Sequence, residues 1–226
     1  MTEEPGESLS VLRSELLHAA QRTNLAERML EVAAVVEAVA APLHIHPVVV
    51  GGVAVYFWTA SDEFLTRDID VVMEVPEQLA DRLAQLGFVR TKDGRHWTLE
   101  GTDVFLEAPS ARLDRGAVVA AVKLPSGRTA SVLSRVDVLL DRLDELQATG
   151  HLVVGQQVLA LLGGMPDEET ADLDARAEQR RVTKILAAMC SLADDITGGR
   201  REPPDTAEMH EIARAALRAE YSPRDP

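Results

Sequence analysis

Two stretches decide how this chain is read: Val48-Val-Val-Gly-Gly-Val-Ala-Val55 and Thr66-Arg-Asp-Ile-Asp-Val-Val72. In the first, a β-branched run meets Gly51-Gly52, and 53–59 reads as a short helix. A glycine pair at a strand-to-helix junction lets the backbone approach a ligand closely and turns helix N-terminal N–H groups toward an anion. The same pair also serves as a tight turn with no ligand. A dinucleotide fingerprint does not fit, because the third glycine and its spacing are absent. In the second stretch, residues i and i+2 of a strand share a face, so Asp68 and Asp70 project together, about 7 Å apart along the chain. Two carboxylates on one face of an interior strand repel each other and resist desolvation. A divalent cation between them offsets both costs, and Mg²⁺ takes one or two carboxylates together with waters and substrate phosphates. A solvated strand end carrying both acids is the alternative.

A third acid lies downstream. Asp103 opens the apolar run Val104-Phe105-Leu106, and Glu107 follows four residues later on the same strand face. If this strand lies beside the one over 67–75, either acid completes a metal site or takes a proton from an attacking hydroxyl. Of the two, Asp103 is preferred.

Around these stretches the pattern is mixed. Helices are expected over 8–20 and 25–41, then a strand over 44–50 that Pro47 assigns to an edge or a bend. After the loop 60–66 and the strand 67–75, residues 77–86 read as a helix with Leu79, Leu83 and Leu86 on one stripe and Gly87 just past its end. Strands follow at 89–91, 96–100 and 102–108, the first two joined by a turn at Asp93-Gly94. A further pair is expected at 117–124 and 129–133. From Ser134 the periodicity is helical, over 152–162, 167–178, 181–196 and 206–220 among others. The expected class is α+β: a mixed β-sheet core flanked by helices, with a helical C-terminal piece. Residues 1–22 form an N-terminal helical extension, 23–133 the core and 134–226 the helical region.

Composition narrows the function. Of 226 residues, 46% are hydrophobic and 27% charged, which excludes disorder and leaves enough apolar material for a core. The longest nearly uncharged apolar run, 48–60, is shorter than the roughly 20 residues a bilayer span requires, so no membrane association is expected. Thirty-seven acids against 23 bases give a net charge of −14, which disfavours a broad nucleic-acid-binding surface. The start at Met1-Thr2-Glu3-Glu4-Pro5 has no apolar segment of the secretory kind, and Cys190 is the single cysteine, so a cytoplasmic location is expected. Weaker signals read as ordinary surface or core: His44 and His46 alternating on one strand, His96-Trp97 as a half-buried hairpin pair, and Arg180, Arg181 and Lys184 as a solvated helix face.

Gly51-Gly52, the sixteen-residue gap from Gly52 to Asp68, Asp68-Ile-Asp70 preceded by Thr66, and the Asp-led strand at Asp103 together resemble the nucleotidyltransferase (polymerase beta-like) superfamily. Within it they look closest to bacterial nucleotidyltransferase-like proteins that include the AbiEii-type toxins. The resemblance covers about 43–146. It implies a nucleotidyltransferase-like sheet and transfer of a nucleoside monophosphate from an NTP to an acceptor, whether a tRNA end, a protein side chain or a small molecule. It also implies that Gly51 and Gly52, with Thr66, cradle the nucleotide. Asp68, Asp70 and Asp103 would bind Mg²⁺ (or Mn²⁺), with Asp103 helping to deprotonate the acceptor. Related members often carry a Lys in the helix after the core, where this chain offers Arg142, and Val53 stands where a small hydroxyl residue is usual. The resemblance is also consistent with an antitoxin-like partner, or with a nucleotidyltransferase fold kept for binding with little transfer.

Overall fold

The computed structural model describes residues 7–64, 66–170 and 172–221. The acidic start at Met1–Pro5 and single positions in the expected loop 60–66 and helix 167–178 lie outside the described residues. The chain forms two compact units, the first ending at Ser134 and the second beginning at Arg135.

The first unit opens with α1 (Leu9–Ala20), capped by the Ser8 hydroxyl, and α2 (Leu25–Ala40), capped by Asn24, whose side chain accepts from Glu27 N at 3.0 Å. Each cap satisfies a backbone donor that the first helical turn leaves without a partner. The two helices pack on each other and on α4 (Glu77–Leu86), whose stripe of Leu79, Leu83 and Leu86 is buried. Pro76 precedes α4 and Gly87 ends it in the left-handed region (φ +103°), as the sequence pattern predicts. Burying each of these leucines contributes about 1.5–3 kcal/mol.

The sheet has seven strands in the order β3-β4-β5-β2-β1-β7-β6. These are β1 (Val48–Val49), β2 (Asp68–Val72), β3 (Phe88–Arg90), β4 (His96–Leu99), β5 (Phe105–Glu107), β6 (Val119–Lys123) and β7 (Thr129–Leu133). Between β1 and β2 lies α3 (Gly51–Thr59), whose Trp58 Nε1 donates to Leu133 O at 2.8 Å and ties the helix to the end of β7. The sheet is mixed: β1 runs antiparallel to β2 and parallel to β7, and β2 runs parallel to β5. Alternation divides its faces. Ile69, Val71, Trp97, Leu99 and Leu106 are buried on one side, while Asp68, Asp70, His96, Thr98, Phe105 and Glu107 stand on the other, half-buried or exposed.

Three expectations are corrected here. The strand expected over 44–50 is confined to Val48–Val49 and lies between β2 and β7 rather than at an edge. Pro47 sits just ahead of it, so no ladder donor is lost. His44 ends a short 3₁₀ turn over Ala41–Leu43 with φ +57°, so His44 and His46 do not alternate along a strand. The helix expected over 167–178 is two pieces, α7 (Asp167–Thr170) and α8 (Leu173–Arg180).

The second unit is helical: α5 (Arg135–Thr149), α6 (Leu152–Gly163), α7, α8, α9 (Thr183–Thr197) and α10 (Thr206–Tyr221). The face of α5 carrying Val138, Leu139, Leu140, Leu143 and Leu146 is buried. Gly155 of α6 lets α10 come close, since a Cβ there would sit 2.5 Å from Met209 Sδ. Asp137, fully buried on α5, pairs with Arg176 of α8. The α+β class, with a mixed sheet flanked by helices, holds. Among the described residues, no helix is long and apolar enough to cross a membrane.

Candidate active site

The site grows out of strand register. Asp70 lies directly across from Glu107 in the parallel pair β2·β5, and Asp68 lies across from Phe105. Alternation within each strand then sets Asp68, Asp70 and Glu107 on one face. One carboxylate oxygen from each lies within 4.8 Å of the other two, and all three residues are half-buried. Charges this close repel strongly unless something positive stands among or beside them.

The glycine bend closes the site on the β1 side. Val50 N donates to Asp70 O at 2.9 Å, which extends the β1·β2 ladder to the mouth of the site. Gly51 then takes φ +62°, and a Cβ there would overlap Asp70 Oδ2 and lie 2.9 Å from Cγ. A side chain is therefore excluded twice over, by conformation and by space. Gly52 is pressed on its other flank: a Cβ would lie 2.8 Å from both Thr66 Cγ2 and Thr66 Oγ1, and 3.2 Å from Phe64 O. Thr66 Oγ1 itself donates to Asp68 O at 3.2 Å, so it links the bend to the strand that carries the acids. The first turn of α3 begins at this bend.

Cations enter from the β4 side. Glu107 Oε1 accepts from Arg95 at 3.2 Å, and Glu107 Oε2 lies 3.1 Å from His96 Nε2. His96 Nδ1 sits 2.6 Å from Asp93 Oδ2. The other Asp93 oxygen accepts from Arg95 N at 2.9 Å, His96 N at 3.1 Å and the Thr91 hydroxyl at 2.7 Å. The turn between β3 and β4 thereby holds two basic side chains against Glu107. The Arg95 N–H foremost, with the Thr91 hydroxyl and the His96 N–H, keeps the Asp93 carboxyl well below the usual carboxylate range. The Asp93 contact foremost, with Glu107 adding to it, raises His96 above its ordinary value.

The sequence-derived residues divide as follows. Asp68, Asp70, Gly51, Gly52 and Thr66 come together. Asp103, the preferred third acid, does not join them; Glu107 stands with Asp68 and Asp70 in the carboxylate group. Gly101, at φ +76°, and Thr102, whose hydroxyl donates to Leu99 O and accepts from Val104 N, build a turn, and β5 begins only at Phe105. Asp103 stays in that turn, 59% exposed, and pairs with Arg28 of α2 at 2.6 Å. Glu107, the other acid considered, occupies the position across from Asp70. Arg142 belongs to the second unit, where it pairs with Glu145 at 2.8 Å. Val53 is fully buried. The contacts of Arg95 and His96 to Glu107 carry no local sequence signal, because the Asp93-Gly94 turn sets only the register of β3 with β4, and His96 meets Glu107 through the separate pairing of β4 with β5.

No protein-family profile matches the sequence, and no curated protein does. Among solved structures, the chain is similar to an antigenic nucleotidyltransferase-like protein from Paracoccidioides brasiliensis, at 17% identity and a TM-score of 0.49 over 75% of this chain and 93% of that one. It is also similar to the solution structure of the antibiotic-resistance factor ANT(2'')-Ia, at 15% identity and a TM-score of 0.36 over 95% of both chains.

Proposed function

We propose that the chain is a divalent-cation-dependent nucleotidyltransferase, moving a nucleoside monophosphate from an NTP to the hydroxyl of an acceptor. The observation that carries this reading is the convergence of Asp68, Asp70 and Glu107 on one sheet face, beside a glycine bend that opens a helix. Three carboxylate oxygens grouped this closely are the donor set a hard cation takes, so the residues fit Mg²⁺ or Mn²⁺. Bound there, such a cation supplies positive charge to the phosphate oxygens on which negative charge builds during transfer. The chain's own residues do the rest. Gly51 and Gly52 let the bend close against Asp70 and Thr66, which brings the start of α3, where helix N–H groups favour an anion, beside the carboxylates. Thr66 holds the bend against β2, and Arg95 and His96 fix the orientation of Glu107. The reading assigns this chemistry to residues 23–133, with 1–22 as a helical extension, and places the protein in the cytoplasm. A toxin-like role with an antitoxin partner follows from the AbiEii-type resemblance of the motif stretch.

A second reading is a nucleotide-binding module with little transfer. It is favoured by the buried, apolar Val53 beside the second glycine and by the two bases that already engage both Glu107 oxygens. One experiment separates the two: incubation with α-labelled NTPs and Mg²⁺ or Mn²⁺, with nucleotide binding measured in parallel by calorimetry. The enzyme transfers label, and Asp68→Asn and Asp70→Asn abolish both transfer and cation-supported binding. The binding module binds without transfer. Unchanged nucleotide and cation affinity in both variants would overturn either reading.

A further inference from the structure

We propose that the acceptor of this site carries its hydroxyl on a planar apolar ring, as a phenol such as a tyrosine side chain does, and lies on a strip formed by Phe105, Thr98 and Val89. The inference rests on the transferase reading above. Asp68 is in register with Phe105, Phe105 with Thr98, and Thr98 with Val89, so the four residues form one row across β2, β5, β4 and β3. Residues directly opposite in a sheet share a face, so the row stands on the side that carries the carboxylates. Phe105 is 42% exposed and Val89 46%, while Leu106 and Trp97 next to them are buried on the other side. A chain with only four phenylalanines therefore leaves one open beside a carboxylate group. At about 4.8 Å between strands, the strip runs roughly 10 Å from Phe105 to Val89.

Direction identifies the occupant. Gly51 flanks Asp70 from β1, while on β5 Glu107 lies across from Asp70 and Phe105 across from Asp68. A triphosphate on the glycine bend releases its pyrophosphate on that side, and in-line displacement brings the attacking oxygen from the opposite one. What lies over β5 and β4 is therefore the acceptor. A flat ring stacks on Phe105, the Thr98 hydroxyl offers one hydrogen bond, and Val89 meets the far end. A phenol, with a pKa near 10, also gives up its proton more readily than an aliphatic hydroxyl. The phenolic oxygen forms a bond to the α-phosphorus and the bond to the pyrophosphate oxygen breaks. Pyrophosphate leaves with the electron pair, and the phenolic proton passes to a site carboxylate and then to water.

The test uses the full chain with Mg²⁺, α-labelled NTPs and N-acetyl-tyrosinamide as the probe, with sorbitol as a ring-free acceptor. Saturation-transfer NMR reads probe binding beside a non-transferable nucleotide analogue. Label on the phenol and saturation of its ring protons are expected, with Phe105→Ala raising the KM for the probe about tenfold while kcat and the nucleotide KM stay within about twofold. Phe105→Tyr should restore most of the affinity, which a loss of folding would not allow. Equal labelling of sorbitol with no effect of Phe105→Ala overturns the proposal, and so does a rise in the nucleotide KM alone, which would give Phe105 to the base. If neither acceptor is labelled and the probe does not saturate, while Asp68→Asn still removes cation-supported nucleotide binding, the acceptor assignment falls and nucleotide binding at this site stands. Loss of that dependence as well removes both.

Discussion

Gly51 and Asp70 compete for one volume: any Cβ on the glycine would overlap the carboxylate that faces it. The glycine is therefore part of the acidic site and more than a turn. Gly51→Ala must move the Asp70 side chain and also hold a left-handed backbone, at a cost of about 1–2 kcal/mol. We expect a modest fall in thermal stability together with a loss of Mn²⁺ affinity of about tenfold or more, read by electron paramagnetic resonance, because displacing a ligand costs at least what displacing its supporting partners does. A variant that loses stability but keeps Mn²⁺ affinity would detach the bend from the site.

Glu107 and Asp103 make opposite predictions from positions four residues apart. Glu107→Gln removes a carboxylate from the group of three and should weaken Mn²⁺ binding by about tenfold or more. Asp103→Asn breaks only an exposed pair with Arg28, of the kind worth about 0–1 kcal/mol, and should leave Mn²⁺ binding unchanged. Titrating both variants in parallel checks the assignment, and the reverse order would restore Asp103 as the third acid.

These two acids also show what the sequence makes legible. The period-two pattern fixes which face Asp68 and Asp70 share, and local chemistry fixes α4, from Pro76 to the left-handed Gly87. The pairing of β2 with β5 is set by burial of Ile69 and Leu106 on the far face and by no local pattern, so the register that brings Glu107 opposite Asp70 was not readable. The turn that removes Asp103 was foreshadowed by Gly101, which sits where a left-handed residue closes the connection between β4 and β5. The central place of β1 was hidden for a similar reason. Pro47 reads as an edge signal, and only the parallel pairing of Val49 with Val132 puts the strand inside the sheet.

The first unit should depend on the leucine stripe of α4. Leu83 is fully buried on α4, which packs against α1, α2 and β3, so Leu83→Ala leaves a cavity as well as losing transfer energy. We expect a loss of about 2–5 kcal/mol in urea unfolding followed by circular dichroism. An exposed change on the same helix, Asp81→Ala, should stay within about 0.5 kcal/mol. Equal effects would mean that α4 does not carry the packing assigned to it.

The turn between β3 and β4 should respond to pH through His96. Its imidazole bridges Asp93 and Glu107, and both contacts favour the charged form, which raises its titration above 6.5. A base whose folded value is raised contributes its stability in full below the unfolded value, and that contribution is lost as pH rises through the folded midpoint. The turn should therefore be best ordered on the acidic side of neutrality and loosen as His96 deprotonates. Proton–carbon NMR of the His96 ring reads the midpoint directly. Asp93→Asn removes the larger of the two causes and should move that midpoint back toward 6.5, while Glu107→Gln should move it less. A midpoint at or below 6.5 in the unaltered chain would mean that His96 does not bridge the two acids in solution, and Glu107 would then lack one of the two bases that orient it.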